Sequence, residues 1–177
     1  QMNPHFIFNS LNSIQSYIAN NENDKATRFL AKFAKLIRSM LNNSREQSIS
    51  LQEEIESLKL YLELEKMRFK EKFDFEIIVD DDIDSFAVEL PPLLIQPYLE
   101  NAIIHGLAQK RSQGMIKLYY ILDGNYLCVT VTDNGIGVEQ SKKMKSKQKS
   151  LHKSVGMTVT QKRLEILDKG NKDKKVN

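Results

Sequence analysis

Between Pro4 and Pro91 the chain has neither glycine nor proline, and all seven glycines lie at or after Gly106. A stretch without breakers can carry long helices, because an interior glycine costs about 1 kcal/mol and an interior proline about 3 kcal/mol. The asymmetry predicts a helical first half and a mixed second half. Asn3 is expected to cap the first helix, with Pro4 at its first position, where a missing N–H goes unnoticed. Ile7, Leu11, Ile14 and Ile18 then form one apolar stripe. His5, Asn9, Asn12 and Ser16 form a second, wholly polar line, so His5 is expected to face solvent in the first turn. A second helix is expected over about 24–43, with Phe29, Leu30, Phe33, Ala34, Ile37 and Leu41 inward. Ser50-Leu51-Gln52-Glu53 reads as a capping box and opens a third helix, to about Phe69, with Leu51, Ile55, Leu58 and Leu62 on its apolar side.

Helical spacing then stops. Phe73, Phe75, Ile77 and Val79 alternate with Asp74, Glu76 and Ile78, which predicts a strand ended by Asp80-Asp81-Asp82. Pro91-Pro92 precedes a further helix through about Leu107, in which Pro97 demands a late start or a bend. Two strands are expected at about 115–122 and 126–132, and a last helix at about 156–168. A domain boundary is expected near 70–72, giving a helical region, 1–70, and an α/β unit, 71–177.

The chain of 177 residues suffices for one good core or two small ones. A formal charge of +3 is too slight to argue for nucleic acid, so no nucleic-acid partner is expected. Cys128 is alone, which excludes an internal disulfide and fits a reducing compartment. No window approaches the ~18 unbroken apolar residues of a membrane span. The chain begins at Gln1 without an initiator methionine and ends in a polar turn from Asp168 to Lys172, so both ends read as cut.

Five strings carry chemistry. In Gln1-Met2-Asn3-Pro4-His5-Phe6-Ile7-Phe8-Asn9, a histidine exposed at a helix start offers a neutral imidazole as nucleophile near pH 7. An isolated surface histidine would carry no such weight. In Leu90 to Gly106, Asn101 and His105 are four apart and share one helix face. An amide oxygen there suits Mg2+, which shares oxygen donors with phosphates, although such a pair can equally tie two helices together. Asp133-Asn134-Gly135-Ile136-Gly137 follows a strand, and glycines two apart allow close approach of a ligand or only a plain loop. The segment 138–153 holds six lysines and His152 against one acid, Glu139. It reads as a loop, either solvated or facing an anion. Last comes Ser154-Val155-Gly156-Met157 with Arg163-Leu164, where amides at a helix start favour phosphate.

The first string resembles the phosphoacceptor box of the LytS-type sensor histidine kinases, Asn-Pro-His-Phe-x-Phe-Asn. The second and third are similar to the N box and G1 box of the GHKL ATP-binding superfamily. The fifth is similar to the G2 box, with Ser154 in place of its first glycine and Val159 in place of its asparagine. The resemblance implies an α+β chain: a helical dimerisation and phosphoacceptor region, then a Bergerat-type (GHKL) α/β sandwich with helices on one face of a mixed sheet. It implies ATP and Mg2+ as cofactors, with Asn101 holding Mg2+, Asp133 reading the adenine amino group, and His105, Gly135, Gly137 and Gly156 around the nucleotide. His5 is the implied phosphoacceptor, and Glu100 a base or orienting group. The implied partners are a second copy of the chain and a response regulator. The chain would be the cytoplasmic portion of a membrane-anchored protein, touching the membrane only through segments outside this sequence. A GHKL ATPase without phosphotransfer and a scaffold that keeps the fold alone are the rival readings, the second prompted by the altered G2 box. That family also continues its sheet with a further strand after the last helix, for which this chain leaves only Val176-Asn177.

Overall fold

The structure, a computed structural model, describes residues 4–108, 110–124 and 126–136. Its elements are α1 (Pro4–Ala19), α2 (Asn23–Asn43), β1 (Ile49–Ser50), α3 (Leu51–Arg68), β2 (Phe73–Val79), β3 (Glu89–Leu90) and α4 (Gln96–Asn101). A π-helical segment (Ala102–Leu107) continues α4, and β4 (Gly114–Asp123) and β5 (Tyr126–Asp133) follow. The chain is therefore α+β with a mixed sheet, as the breaker asymmetry requires. Asn3, Gly137, the lysine-rich segment, Gly156 and the expected last helix lie outside the described residues.

The capping box is present in full. Ser50 Oγ accepts the Glu53 N–H at 3.2 Å, and Glu53 Oε2 accepts the Ser50 N–H at 2.9 Å. Two amides at the start of α3 are thereby satisfied. The Ser50 hydroxyl, which also donates to Glu53 Oε2 at 2.8 Å, and the Ser50 N–H together hold the Glu53 carboxyl below the ordinary glutamate range. α3 is the central element, with Leu51, Leu58, Tyr61, Leu62 and Leu64 all buried. A helix with buried residues on more than one face belongs between two layers. It packs against α1 and α2 on one side and against β2 on the other.

In the sheet, β4 lies between β2, which runs parallel to it, and β5, which runs antiparallel. Register aligns Phe75 with Ile116 and Ile77 with Leu118, and Leu118 with Val131 and Tyr120 with Val129. All of these belong to one packed face, because side chains alternate with period two. Asp133, two residues after Val131, comes out on that same face. The opposite face is mixed: Lys117 pairs with its register partner Glu76 at 2.8 Å, and Ile78, Ile121 and Tyr126 are exposed there. The buried apolar residues form one contiguous cluster from Phe6 to Tyr120, running through both sides of residues 70–72.

The inward faces of α1 and α2 differ from the expected stripes. On α1 the buried residues are Phe6 and Ser10, with Ile14 and Tyr17 partly buried, whereas Leu11 is 50% and Ile18 56% exposed. On α2 they are Ala26, Phe29, Leu36, Met40 and Asn43, whereas Leu30 and Leu41 are exposed. Aromatic contacts explain the rotation. The Phe6 ring sits 5.3 Å from Tyr61 and 6.1 Å from Phe33, and Tyr17 sits 6.1 Å from Phe29. The Tyr17 hydroxyl also donates to the Met67 carbonyl at 2.8 Å. Large rings bury more apolar area than the aliphatic stripe would, and such pairs add further stabilisation. Both helices consequently carry a second, outward apolar stripe.

Candidate functional site

His5 is exposed in the first turn of α1, as its polar line predicts. Its Nδ1 lies 3.1 Å from Asn9 Nδ2, one helical turn on. The two orientations of the Asn9 amide select opposite tautomers. With its NH2 toward the ring, Nδ1 accepts and the ring proton sits on Nε2. With its C=O toward the ring, Nδ1–H donates and Nε2 keeps the lone pair. The next residue, Phe6, anchors this turn against Tyr61 on α3.

One turn after Tyr61 lies Glu65, 1% exposed, held by the guanidinium of Arg68. Arg68 Nε donates to Glu65 Oε1 at 3.0 Å and Arg68 Nη2 donates to Oε2. Burial raises the Glu65 carboxyl above the ordinary range; Arg68 opposes that rise, Glu100 adds to it, and His5 lowers it. The same buried carboxylate therefore feels both the candidate acceptor and the candidate base. Burial likewise pushes the Tyr61 hydroxyl well up, with Glu65 and Glu100 adding to the effect.

Glu100, Asn101 and His105 sit at the junction of α4 and the π-helical segment, all partly buried. Pro97 falls in the first turn of α4, so the helix starts late rather than bending at it. Gln96 Nε2 donates to Glu100 Oε1 at 3.0 Å. The π turn is closed by the Ala108 N–H on the Ile103 carbonyl, at 2.8 Å. Wide turns of this kind occur mostly as short insertions, often at functional sites. Asn101 and His105, four residues apart, remain on one side of the segment.

The turn after β5 meets this segment directly. The Ile136 N–H donates to the Gly106 carbonyl at 3.1 Å, and Asp133 Oδ1 accepts the Gly135 N–H at 2.9 Å. Asn134 closes the ladder with β4: its Oδ1 accepts the Met115 N–H at 2.8 Å and its own N–H donates to Met115 O at 3.2 Å. The contact demands glycine at Gly135, where an added Cβ meets backbone; at Gly106 it meets only the end of the exposed Asp133 side chain. A Cβ at Gly135 would stand 2.5 Å from backbone atoms of Gly106, and one at Gly106 would stand 2.6 Å from Asp133 Oδ1. The structure thus brings the Gly106 turn, directly after His105 and five residues after Asn101, onto Asp133 and Gly135, and leaves Asp133 exposed at the end of an inward-facing row.

Among the described residues no group of three or more His, Cys, Asp or Glu side chains is placed to hold a metal ion. An ion held by phosphates and one amide oxygen needs no such group, so the donor set at Asn101 fits Mg2+ in that form only. A cavity of about 580 Å³ lies elsewhere, between α1, α2 and the end of α3. Of its lining cations, Lys25, Lys32 and Arg68 are paired with Glu22, Glu63 and Glu65. No described helix is long and apolar enough to cross a membrane.

Glu54, Glu65 and Arg68 are not among the residues singled out from the sequence. A signal was there: Glu54, Leu58, Tyr61 and Glu65 recur at spacings of four, three and four, so two carboxylates stand on the core line of α3.

Residues 1–73 match the family model described as histidine kinase. The chain is 34% identical to sensor protein LytS of Staphylococcus epidermidis over 138 residues, 78% of this chain and 23% of that protein. It is 35% identical to sensor protein LytS of Staphylococcus haemolyticus over 142 residues, 80% of this chain and 24% of that protein. An uncharacterized protein, YwpD of Bacillus subtilis, is 34% identical over 166 residues, 93% of this chain and 58% of that protein. The chain spans under a quarter of the length of the two LytS proteins. With the phosphoacceptor string at the start of α1 and these similarities running well beyond residue 73, the chain belongs to the histidine kinase family as a LytS-type sequence.

Proposed function

We propose that this chain is the core of a sensor histidine kinase that transfers the γ-phosphoryl group of ATP to His5 and then to an aspartate of a response regulator. The observation that supports it is the packing of the Gly106 turn, which follows Asn101 and His105 in the same helical stretch, on the loop that carries Asp133 and Gly135. In this reading 1–70 is the phosphoacceptor and dimerisation region, and 71–177 the ATP-binding unit of GHKL type. The protein is anchored to a membrane by segments outside this sequence, with this portion in the cytoplasm.

The chemistry is positioning and charge neutralisation, as in other phosphoryl transfers. Asp133 accepts from the adenine amino group. Asn101 supplies an oxygen to Mg2+, which when bound neutralises charge on the phosphates. His105, Gly135, Gly137 and Gly156 line the nucleotide. An imidazole nitrogen of His5 attacks the γ-phosphorus. A P–N bond forms, the bond to the ADP oxygen breaks, and ADP departs with the electron pair. Glu100 orients the imidazole or takes its proton. The outward apolar stripes on α1 and α2, with Phe8 at 65% exposed, support a homodimer that buries them.

The test is incubation of the protein with γ-labelled ATP, beside His5→Gln. Acid-labile, alkali-stable label on the wild type alone is the expected result. Label persisting in His5→Gln removes His5 from the role, and free phosphate without labelled protein identifies an ATPase.

A further inference from the structure

Glu54 stands one turn into α3 and is 1% exposed, far from the strings that carry the candidate chemistry in sequence. A carboxylate taken so far from water needs hydrogen-bond donors. Its donors come from the segment that leads into α4. Glu54 Oε2 accepts the Leu93 N–H at 3.2 Å, and Oε1 accepts the Ile95 N–H at 3.4 Å.

That segment is poorly held by its own sequence. Leu93 has φ of +61°, a left-handed conformation that a Cβ disfavours. Ile95 is the N-cap residue of α4 and has no side-chain cap to offer. α4 has only six residues and passes straight into the π turn. With no local cap and a strained approach, its entry angle must be set from outside. The Glu54 carboxylate, gripping alternate amides on either side of Leu94, is placed to set it. Glu100 and Asn101 follow within two turns.

We propose that Glu54 is a positioning residue for the nucleotide site, fixing the start of α4 so that Asn101 and Glu100 are presented correctly. This rests on the nucleotide-site reading above. It also makes α3, on which α1 and α2 pack, the element through which the phosphoacceptor helices and that site are held in one frame.

The experiment uses the full-length protein. In the wild type, amide hydrogen exchange at Leu93 and Ile95 is expected to be protected, and exchange at solvent rates overturns the proposal even if no variant folds. Glu54→Gln keeps the shape of the side chain but replaces one acceptor with a donor. It is expected to bind Mg-ATP about tenfold more weakly or worse, as loss of a hydrogen bond to a charged group implies. The Mg2+ concentration for half-maximal binding is expected to rise as well. Glu56→Gln, on the exposed side of the same helix, serves as the control and is expected to bind as the wild type does. A folded Glu54→Gln with wild-type affinity and wild-type Mg2+ dependence overturns the proposal. So does a lowered melting temperature with unaltered Mg2+ dependence, since that marks a structural role alone. A wild type that binds no Mg-ATP overturns the nucleotide-site reading itself, and this inference with it.

Discussion

Substituting Gly135 by alanine tests the contact on which the candidate site depends. The new Cβ would lie 2.5 Å from both Cα and C of Gly106 and 2.6 Å from Asp133 Oδ1. Carbon atoms in ordinary contact stand about 3.5–4.0 Å apart, so the loop must withdraw by about 1 Å. The Gly106 atoms are backbone within the π-helical segment and cannot rotate aside. Withdrawal therefore lengthens the bond from the Ile136 N–H to the Gly106 carbonyl, now 3.1 Å, and carries Asp133 with it. Overpacking of this kind costs about 1–3 kcal/mol. At about 2 kcal/mol, a chain of this size melts roughly 4–8 °C lower. Displacing Asp133 should also weaken nucleotide binding about tenfold, one hydrogen bond's worth. Thermal unfolding and a Mg-ATP titration measure the two effects. Gly124→Ala supplies the contrast: its φ of +58° makes alanine unfavourable by about 1 kcal/mol, but nothing stands within 4 Å of the added Cβ. It should melt slightly lower and bind nucleotide normally. The reasoning is refuted if Gly135→Ala melts and binds like the wild type, or if Gly124→Ala loses affinity equally.

Two further outcomes follow from the helical layer. Arg68→Ala leaves the Glu65 carboxylate buried without its guanidinium and should cost about 3 kcal/mol in urea unfolding. The raised native pKa of Glu65 means the folded state holds its proton more tightly than the unfolded state. Its contribution to stability is therefore greatest below the ordinary glutamate value and falls as pH rises through that value to the raised one. Removing Arg68 raises the native pKa further, so the loss should be larger near about pH 7 than near about pH 4, and an equal loss at both would contradict this. Phe6→Ala empties the site between Tyr61 and Phe33 and should cost about 3–5 kcal/mol. Phe8→Ala, two residues on and 65% exposed, should change monomer stability by less than about 0.5 kcal/mol and weaken self-association in sedimentation. Equal destabilisation by the two would reverse the assignment of the inward face.

Local signals decided much of this fold in advance. The third helix starts at Ser50 because the cap and its reciprocal glutamate are four consecutive letters, and the geometry they dictate involves no other part of the chain. The strand at Phe73–Val79 and the hairpin of β4 and β5 follow from alternation, which leaves a half-buried strand few other choices. His5 in the first turn, exposed, follows from Pro4 and the polar line. The faces of α1 and α2 were not legible in the same way. Each helix carries two apolar stripes, and spacing alone cannot rank them. Phe6, Phe29 and Tyr17 win the inward side because α3 presents Tyr61 and the Met67 carbonyl to them.

The candidate site divides along the same line. The residue types at His5, Asn101, His105, Asp133 and Gly135, and their places at a helix start, on a helix face or in a tight loop, are readable from local spacing. That Gly135 lies on the Gly106 backbone with no room for a Cβ emerges from the packed fold alone. It alone placed two carboxylates of α3, Glu54 and Glu65, in the core, one gripping the approach to α4 and the other held by Arg68. The difference is one of range. Caps, turns and alternation are settled by atoms a few residues apart, whereas burying a charge is settled by whichever distant donors the packed core brings to it.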